Sequence, residues 1–307
     1  MQGSVAILAC VFNGEPFLGE QLASLAAQSF PRIDLVLSDD GSTDGSRELL
    51  ATYGSTWRKG RFEIIQGPGK GFAENFRSQL VNEAIEADYF AFCDQDDIWA
   101  PEKVSTAVAW LMQQPPDKPA LYCSRTRIVD IAGRPVGHSP LFTAPPTFRN
   151  AIVQSIAGGN TMVMNAAARS LMAEASRRSG FVSHDWWCYM MVTGAGGAIR
   201  YDPNPLIDYR QHQGNLVGSN DSIVSRLGRT SFLLKGGFAA WTDRNIAGLR
   251  ACEDLLDDEA RSVLDHFDRL RRMFLPRRMI ELHRSGLYRQ TKAGQISLYI
   301  ASAINRL

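Results

Sequence analysis

The feature that most constrains this chain is a regular alternation of strand and helix patterns over its first 125 residues. Short, nearly continuous apolar runs are typical of strands covered on both faces, and the segments between them have helical spacing. This βαβα order predicts an α/β fold with a mostly parallel sheet flanked by helices. The predicted strands are 4–12, 33–40, 61–66 and 88–93, and the predicted helices are 16–28, 45–54, 72–87 and 101–114.

The rest of the chain differs from this first part. Residues 126–218 are richer in Pro and Gly, and we interpret them as the second half of the same domain, with longer loops. Residues 219–307 lack strand patterns, which predicts a helical C-terminal appendage. We therefore expect one α/β domain over residues 1–218 and a helical region over 219–307.

Charge and composition exclude several classes of protein. The net charge of +1 gives no sign of a nucleic-acid partner. The five cysteines are scattered without a CxxC spacing, which favours reduced core thiols over a zinc site. The chain begins without a basic stretch followed by an apolar one, and it has no run of about 18 apolar residues. These observations predict a cytoplasmic protein.

Carboxylates lie at the ends of two predicted strands. Asp94, Asp96 and Asp97 come directly after the fourth strand, and Asp39 and Asp40 are the last residues of the second. Carboxyl ends of parallel strands meet at one edge of the sheet, where ligands bind. Crowded carboxylates repel each other unless a cation lies between them. The pattern therefore favours a Mg²⁺ or Mn²⁺ site facing a diphosphate over a solvated acidic turn in which Asp97 caps the next helix.

The stretch "DDGSTDGS" (39–46) carries a second set of hydrogen-bonding groups. Asp44 is placed to cap the helix that follows, whereas Asp40 is placed to accept a hydrogen bond from the imide of uracil or thymine. Neither a GxGxxG pattern nor a P-loop pattern follows the first strand. The sequence thus indicates a nucleotide site without the fingerprint of a dinucleotide-binding fold.

Several motifs in order resemble known enzymes. The chain is similar to family 2 glycosyltransferases with the GT-A fold over residues 4–215, through "ILACVFNGEPFLGEQLASLAAQSF", "LVLSDDGSTDGS", "GFAENF" and "FCDQDDIWAPEKV". Within that family it resembles a bacterial rhamnosyltransferase-like branch through "DQDDIW", "GGNTMVMN", "HDWW" and "YRQHQGNLVG".

The resemblance implies roles for residues around the donor nucleotide. Asp94 and Asp96 would form the DxD pair that binds the metal, with Gln95 between them, and Asp97 would orient the sugar or cap the following helix. Asp40 would read the pyrimidine. The remaining nucleotide or diphosphate contacts would be Phe12, Asn13, Glu15, Lys70, Asn75 and Arg210.

The resemblance also implies a catalytic base and a third metal ligand. In "HDWW", Asp185 would deprotonate the acceptor hydroxyl beside a rim of Trp186 and Trp187. The alternative is a helix-capping Asp185 followed by two core tryptophans. His212 would be a third metal ligand or a diphosphate contact, and "GGN" (158–160) would lie on the acceptor side.

These roles predict a metal-dependent inverting glycosyltransferase, using Mn²⁺ or Mg²⁺. The donor would be dTDP-rhamnose or a UDP-sugar, with rhamnose favoured over a UDP-hexose or UDP-N-acetylhexosamine, and the acceptor a saccharide or lipid-linked saccharide. A nucleotidyltransferase would carry a Gly-rich basic loop after the first strand, and "CVFNGEPF" has none. A non-catalytic sugar-nucleotide binding module would not need the DxD pair and Asp185.

A basic stretch near the end of the chain leaves two hypotheses open. Residues 261–289 hold eight Arg against three acids, whereas residues 221–260 hold five basic and seven acidic residues. The first hypothesis is a solvated helical pair packed on the core. The second is peripheral contact with anionic lipid at the inner face of the cytoplasmic membrane, through Arg271, Arg272, Arg277 and Arg278.

Overall fold

The computed structural model describes residues 3–212 and 237–307, and a seven-stranded sheet forms its centre. Its strands are β1 (Val5–Val11), β2 (Ile33–Asp39), β3 (Phe62–Gln66), β4 (Tyr89–Cys93), β6 (Ala120–Ser124), β9 (Val163–Asn165) and β10 (Ala198–Asp202). Their order is β10-β6-β9-β4-β1-β2-β3. All neighbours are parallel except β9, which runs antiparallel to β4 and β6. The predicted α/β class is confirmed.

Helices cover both faces of this sheet. One face carries α1 (Glu15–Ala26), α2 (Ser46–Thr56) and α4 (Lys103–Leu111), and the other carries α3 (Phe72–Val81), α6 (Ala166–Arg178) and α7 (His184–Gly194), with the single turn α5 (Phe148–Ala151) beside α7. Helix α1 shows how the pattern works, because Leu18, Leu22 and Leu25 lie on one face and are all buried.

A four-stranded sheet lies beside the carboxyl edge of the large one. It contains β5 (Ile98–Trp99), β7 (Arg127–Val129), β8 (Pro135–His138) and β11 (Ile207–Arg210), in the order β5-β11-β7-β8. Strand β5 follows the acidic cluster directly and pairs antiparallel with β11. The small sheet therefore positions the segment that follows β4, which carries the acidic cluster.

The described C-terminal residues are helical, as expected. They form α8 (Gly237–Ala251), α9 (Asp258–Arg271), α10 (Leu275–Arg284) and α11 (Lys292–Ala303). Leu249, Leu264 and Phe267 join the same apolar cluster as Trp187 of α7, so these helices pack on the α/β core. The predicted boundary at residue 218 lies outside the described residues. No helix in the described ranges has the length and apolar character needed to cross a bilayer.

Several predicted helix ends differ from the structure. Helix α3 ends at Val81 instead of continuing to 87, because the Asn82 side chain accepts the Ala84 N–H at 3.1 Å and holds a turn instead. Helix α4 is shorter by two or three residues at each end. Helix α2 has Gly45 at its N-cap position, and the neighbouring Asp44 accepts the Ser46 N–H at 3.1 Å.

Candidate active site

The segments that follow β1 and β4 are tied together at the carboxyl edge of the sheet. The Gln95 side chain accepts the Phe12 N–H at 2.8 Å and donates to the Phe12 carbonyl at 3.0 Å. Gln95 thus holds the backbone of Phe12 in place, and the Phe12 ring is 55% exposed. A ring held at a fixed place and open on one side can stack on a base.

Asn13 and Glu15 connect the loop after β1 to the loop after β2. Asn13 has a positive φ of 50°, and its side-chain oxygen accepts the Thr43 N–H at 2.8 Å. The Glu15 carboxylate accepts the Gly45 N–H at 2.9 Å. Both side chains therefore hold the two loops of the predicted nucleoside pocket against each other.

Asp40 positions a glycine-rich loop that contains Lys70. One carboxylate oxygen accepts the Gly69 N–H at 2.7 Å, and the other accepts the Gly71 N–H at 2.8 Å. Lys70 lies between these anchors and is exposed. Each carboxylate oxygen has a second acceptor position. Contact between Asp40 and a pyrimidine stays a prediction.

Two predicted nucleotide contacts lie inside the protein. The Asn75 side chain is buried and donates to the Ser38 carbonyl at 3.0 Å. Arg210 is also buried; it forms an ion pair with Glu20 and donates to the Asp96 carbonyl at 3.2 Å. This placement differs from the expected exposure of both groups to a diphosphate. In the structure Asn75 holds the end of β2, and Arg210 braces the acidic segment.

Carboxylates from two distant parts of the chain meet at this edge. Burial, followed by the negative charges of Asp96 and Asp185, raises the pKa of Asp94 to about 7. Asp185 comes from the first turn of α7, some 90 positions further along the chain. In the structure, the predicted metal ligands Asp94 and Asp96 therefore lie close enough to the predicted base, Asp185, for their charges to interact.

His212 reaches the same cluster. Its Nε2 lies 2.7 Å from an Asp96 carboxylate oxygen, and its ring lies 4.7 Å from the Phe17 ring, centroid to centroid. Among residues 3–212 and 237–307, no group of three acidic, histidine or cysteine side chains is arranged to hold a metal ion by itself. Asp96 and His212 do offer two adjacent donors, and Mg²⁺ or Mn²⁺ needs few protein ligands beside substrate phosphates. The binding of a metal by these residues together with Asp94 stays a prediction.

Asp97 is fully buried and does not cap a helix. Its carboxylate accepts hydrogen bonds from the Asn160 side chain and, at 3.4 Å, from the Arg210 backbone N–H. Burial and the charges of Asp96 and Asp94 raise its pKa well above the usual range. Helix α4 begins at Lys103, so the predicted capping role is wrong. Asp97 instead joins the acidic segment to the "GGN" loop.

His184, which the sequence did not single out, fixes the start of α7. Its ring is buried with centroids 3.8 Å from Phe76 and 4.7 Å from Phe92, and burial lowers its pKa to about 4. A Cβ atom at Gly159 would lie 1.9 Å from the His184 Nε2. Position 159 therefore requires glycine. The packed, neutral imidazole of His184 fixes the position of the first turn of α7, which carries Asp185.

The predicted tryptophan rim is wrong. Trp186 and Trp187 are both buried, and the Trp186 Nε1 donates to the Ala151 carbonyl at 2.7 Å. Helix α7 is covered by the sheet on one side and by the C-terminal helices on the other, so no side remains open for a rim. Asp185 is not the N-cap residue either, since that position is Ser183. The Asp185 carboxylate accepts the Trp186 N–H at 2.7 Å.

Solved structures share this fold. Staphylococcus aureus TarS (residues 1–349) in complex with UDP-GlcNAc aligns with a TM-score of 0.55 at 17% identity, covering 93% of each chain. The mannosyltransferase PcManGT from Pyrobaculum calidifontis, in complex with GDP-Man and Mn²⁺, aligns with a TM-score of 0.50 at 16% identity, covering 100% of this chain and 87% of that one. At such identities the likeness establishes the fold, which is the GT-A fold.

Curated relatives are glycosyltransferases by name. The chain is 26% identical over 228 residues to the dTDP-rhamnosyl transferase RfbG of Shigella flexneri, covering 71% of this chain and 76% of that protein. It is 31% identical over 108 residues to a glycosyltransferase of Bacillus subtilis called EpsE, covering 35% of this chain and 38% of EpsE. The sequence model of glycosyl transferase family 2 matches residues 6–168. This match spans more than half of the chain, and the chain therefore belongs to glycosyl transferase family 2; it is a glycosyltransferase that acts on nucleotide sugars.

Proposed function

We propose that this enzyme transfers a sugar, with rhamnose favoured, from a pyrimidine-nucleotide diphospho-sugar to a hydroxyl of a glycan or lipid-linked glycan, with inversion and with a divalent metal. The observation that carries the proposal is the grouping of Asp94, Asp96 and Asp185 at one edge of the sheet, where burial, followed by the charges of Asp96 and Asp185, raises the pKa of Asp94. Perturbed carboxylates of this kind cluster at functional sites.

The reaction is a single displacement at the anomeric carbon. The acceptor hydroxyl gives its proton to Asp185, and its oxygen forms a bond to the anomeric carbon. The bond between that carbon and the diphosphate oxygen breaks, and the nucleoside diphosphate leaves with the electron pair. A general base must come within about 3 Å of the proton that it removes. Because His184 and Trp186 anchor the start of α7, the backbone of Asp185 is held in place for this contact.

Asp94, Asp96 and His212 would hold the Mg²⁺ or Mn²⁺ ion. When bound, the ion neutralises charge that develops on the leaving diphosphate. The 2.7 Å contact between Asp96 and His212 keeps an oxygen donor and a nitrogen donor adjacent. Asp97 and Asn160, joined by a hydrogen bond, keep the acidic segment in register with the acceptor-side loop.

The loops after β1 and β2 would bind the nucleotide. The exposed Phe12 ring would stack on the base, and Asp40 would accept the imide N–H of uracil or thymine with the acceptor positions that its loop contacts leave open. Lys70 is exposed beside Asp40 and would meet the diphosphate. Gln95, Asn13 and Glu15 would act by holding these loops, Asn75 by holding the end of β2, and Arg210 by bracing the acidic segment after β4.

Rhamnose is favoured over other sugars because RfbG, a dTDP-rhamnosyl transferase by name, aligns with 71% of this chain. TarS was solved with UDP-GlcNAc, which keeps a UDP-N-acetylhexosamine or a UDP-hexose as the second candidate donor. The acceptor in either case is a saccharide hydroxyl.

A thermal-shift screen tests the donor and the metal together. The purified protein is heated with dTDP-rhamnose, UDP-glucose, UDP-GlcNAc, UDP-galactose or GDP-mannose, each with Mn²⁺ or with EDTA. A donor at 100 times its Kd adds about 2.7 kcal/mol of stability. We expect dTDP-rhamnose with Mn²⁺ to give the largest shift, and both EDTA and Asp96→Asn to remove it.

Other outcomes separate the alternatives. A shift that survives EDTA contradicts the metal role, and a shift with GDP-mannose alone contradicts the pyrimidine assignment. Slow release of free sugar and dTDP from a bound donor, without acceptor, distinguishes an enzyme from a binding module. Formation of a nucleotide sugar from dTTP and a sugar phosphate would instead indicate a nucleotidyltransferase.

A further inference from the structure

The last two helices form an antiparallel pair, which we call the C-terminal hairpin (residues 274–306). Arg278 on α10 donates to the Ser302 carbonyl on α11 at 2.8 Å, and His283 Nδ1 lies 3.3 Å from the Tyr299 hydroxyl. Later residues of α10 thus contact earlier residues of α11. By this register, Ile280 faces the turn of α11 that carries Ile300.

The outer face of the hairpin is apolar. Ile296, Ile300 and Ile304 are spaced four residues apart, which places them in one row, and all three are exposed. Ile280 and, at the start of α10, Phe274 and Leu275 are exposed as well, and Phe274 is 69% exposed. Six large apolar side chains are therefore open to solvent on two adjoining helices, where single exposed residues would be ordinary.

The same segment is strongly basic. Residues 274–306 contain six Lys and Arg and a single acid, Glu281. Four cations of the hairpin are exposed, and these are Arg277, Arg284, Lys292 and Arg306. Glu281 is already paired with Arg284. An apolar row flanked by cations is complementary to a layer of anionic headgroups above acyl chains.

We propose that this face docks on a membrane surface that contains anionic lipid. The positive charge of this face favours anionic lipid over a second copy of the chain as its binding partner. A second copy of the chain would bring the same cations against each other, because four exposed cations of the hairpin face a single acid, Glu281, which is already paired with Arg284. Lipid offers both the negative charge and the apolar layer that the face lacks.

The structure changes which arginines take part. Arg271 donates to the Leu307 carbonyl at 2.7 Å and to Asp243 at 2.6 Å, and the buried Arg278 braces α10 against α11. Their predicted contact with lipid is therefore wrong, since the protein itself already binds both guanidinium groups. The lipid-facing set consists of the exposed cations and the isoleucine row instead.

The hairpin is also linked to the acceptor side of the site. Its connecting segment is held by Arg149, which donates to the Ser285 carbonyl at 2.6 Å, and by Asn150, which donates to the Tyr288 carbonyl at 2.9 Å. The next residue, Ala151, accepts from Trp186 beside Asp185. The hairpin that would dock on the membrane is thus in direct contact with the element that leads to the "GGN" loop, an arrangement that, resting on the proposed function, suits a lipid-linked acceptor.

Vesicle co-sedimentation at low salt tests the proposal with the whole protein. Vesicles of phosphatidylcholine with 30% phosphatidylglycerol are compared with pure phosphatidylcholine. The charge variant replaces Arg277, Arg284, Lys292 and Arg306 by Gln, and the apolar variant is Ile296→Ser with Ile300→Ser. The control variant, Met112→Ser with Val136→Ser, removes two equally exposed apolar residues elsewhere.

We expect tight binding to the anionic vesicles alone, fading as salt rises. The charge variant should bind at least about 100-fold more weakly, since each cation near the surface contributes about fivefold. The apolar variant should bind about tenfold more weakly. The control variant should bind like the wild type.

Three results would overturn the proposal. These are equal binding of the charge variant and the wild type, equal binding to both vesicle types, and a lipid-free dimer that the apolar variant abolishes. Far-UV circular dichroism and melting curves check that each variant is folded. Donor binding is measured in parallel, and it should be unchanged in every variant, so a failure of the donor assignment is seen separately.

Discussion

Like charges lie close together both at the carboxyl edge of the large sheet and in the C-terminal hairpin. The two regions differ in whether the protein supplies partners for a buried charge. At the sheet edge, burial and the nearby charges of Asp96 and Asp185 raise the pKa of Asp94 to about 7. In the hairpin, the buried Arg278 donates to two carbonyls and a side-chain amide within 3.0 Å. Burial and neighbouring carboxylates disfavour the charged form of Asp94, whereas the fold supplies hydrogen-bond partners for the charge of Arg278.

This difference teaches how to tell a ligand site from a structural brace. A buried charge whose partners are all supplied by the protein contributes to stability, and its removal leaves those partners unpaired. A crowded set of like charges reduces stability in the free protein and makes sense where a ligand completes it. Removing a charge should therefore have opposite effects on stability in the two regions.

The largest expected effect is on rate and not on stability. Asp185→Asn should lower kcat by about 10² to 10⁴, the usual share of a general base, while the melting temperature and donor affinity hardly change. Steady-state transfer assays with the identified donor measure this. Asp258→Asn, an exposed acid in the first turn of α9, is the matched control and should keep full activity. Near-normal turnover with lost donor binding would assign Asp185 to the donor instead.

The second effect is a loss of stability in the hairpin. Arg278→Gln should lower the free energy of unfolding by about 3 kcal/mol, because three acceptors lose a charged donor in a buried place. Its neighbour Arg277 is exposed, and Arg277→Gln should change stability by less than about 0.5 kcal/mol. Urea unfolding of both variants gives the comparison. Equal stabilities would mean that Arg278 is no more a brace than Arg277.

The third and smallest effect is a gain of stability at the sheet edge. The folded protein holds the Asp94 proton up to about pH 7, whereas an unfolded chain releases it near pH 4. Because the folded state binds the extra proton, the metal-free wild type loses stability as pH rises through this window. Asp94→Asn removes that loss and should be more stable than the wild type by about 1–2 kcal/mol at pH 8, and equal to it near pH 4.

Thermal melts in EDTA between pH 4 and pH 8 measure this gain. Added Mn²⁺ should stabilise the wild type and leave Asp94→Asn nearly unchanged, since one of the proposed ligands is gone. A variant that is less stable than the wild type at pH 8 in EDTA would show that Asp94 is satisfied within the protein.

The α/β fold could be predicted from the sequence because its information is local. Each strand of the first half is a short apolar run, and each helix has its own apolar face, so the order of elements follows without knowledge of distant contacts. The carboxylates were found for the same reason, since Asp40 and Asp94 directly follow strands. Family membership and the glycosyltransferase class are confirmed, whereas the roles of individual site residues stay predictions.

Features that depend on packing between distant segments could not be predicted in this way. Trp186 and Trp187 were expected at a rim because nothing near them in sequence shows that the C-terminal helices cover α7. The contact between Asn160 and Asp97 joins residues 63 positions apart. The burial of Arg278 could have been predicted from the sequence, because Arg278 precedes the apolar Leu282 by four positions and therefore lies on the same face of the helix.

The strand order of the large sheet has a consequence for protein synthesis. Strands β4, β1, β2 and β3 are neighbours in the sheet, and all four come from the first 93 residues, whereas β9, β6 and β10 come from residues 120–202. N-terminal parts of a chain leave the ribosome first and can fold there. The half of the sheet that carries Asp40 and Asp94 is therefore synthesised well before Asp185, and it can begin to fold while the rest of the chain is still being made.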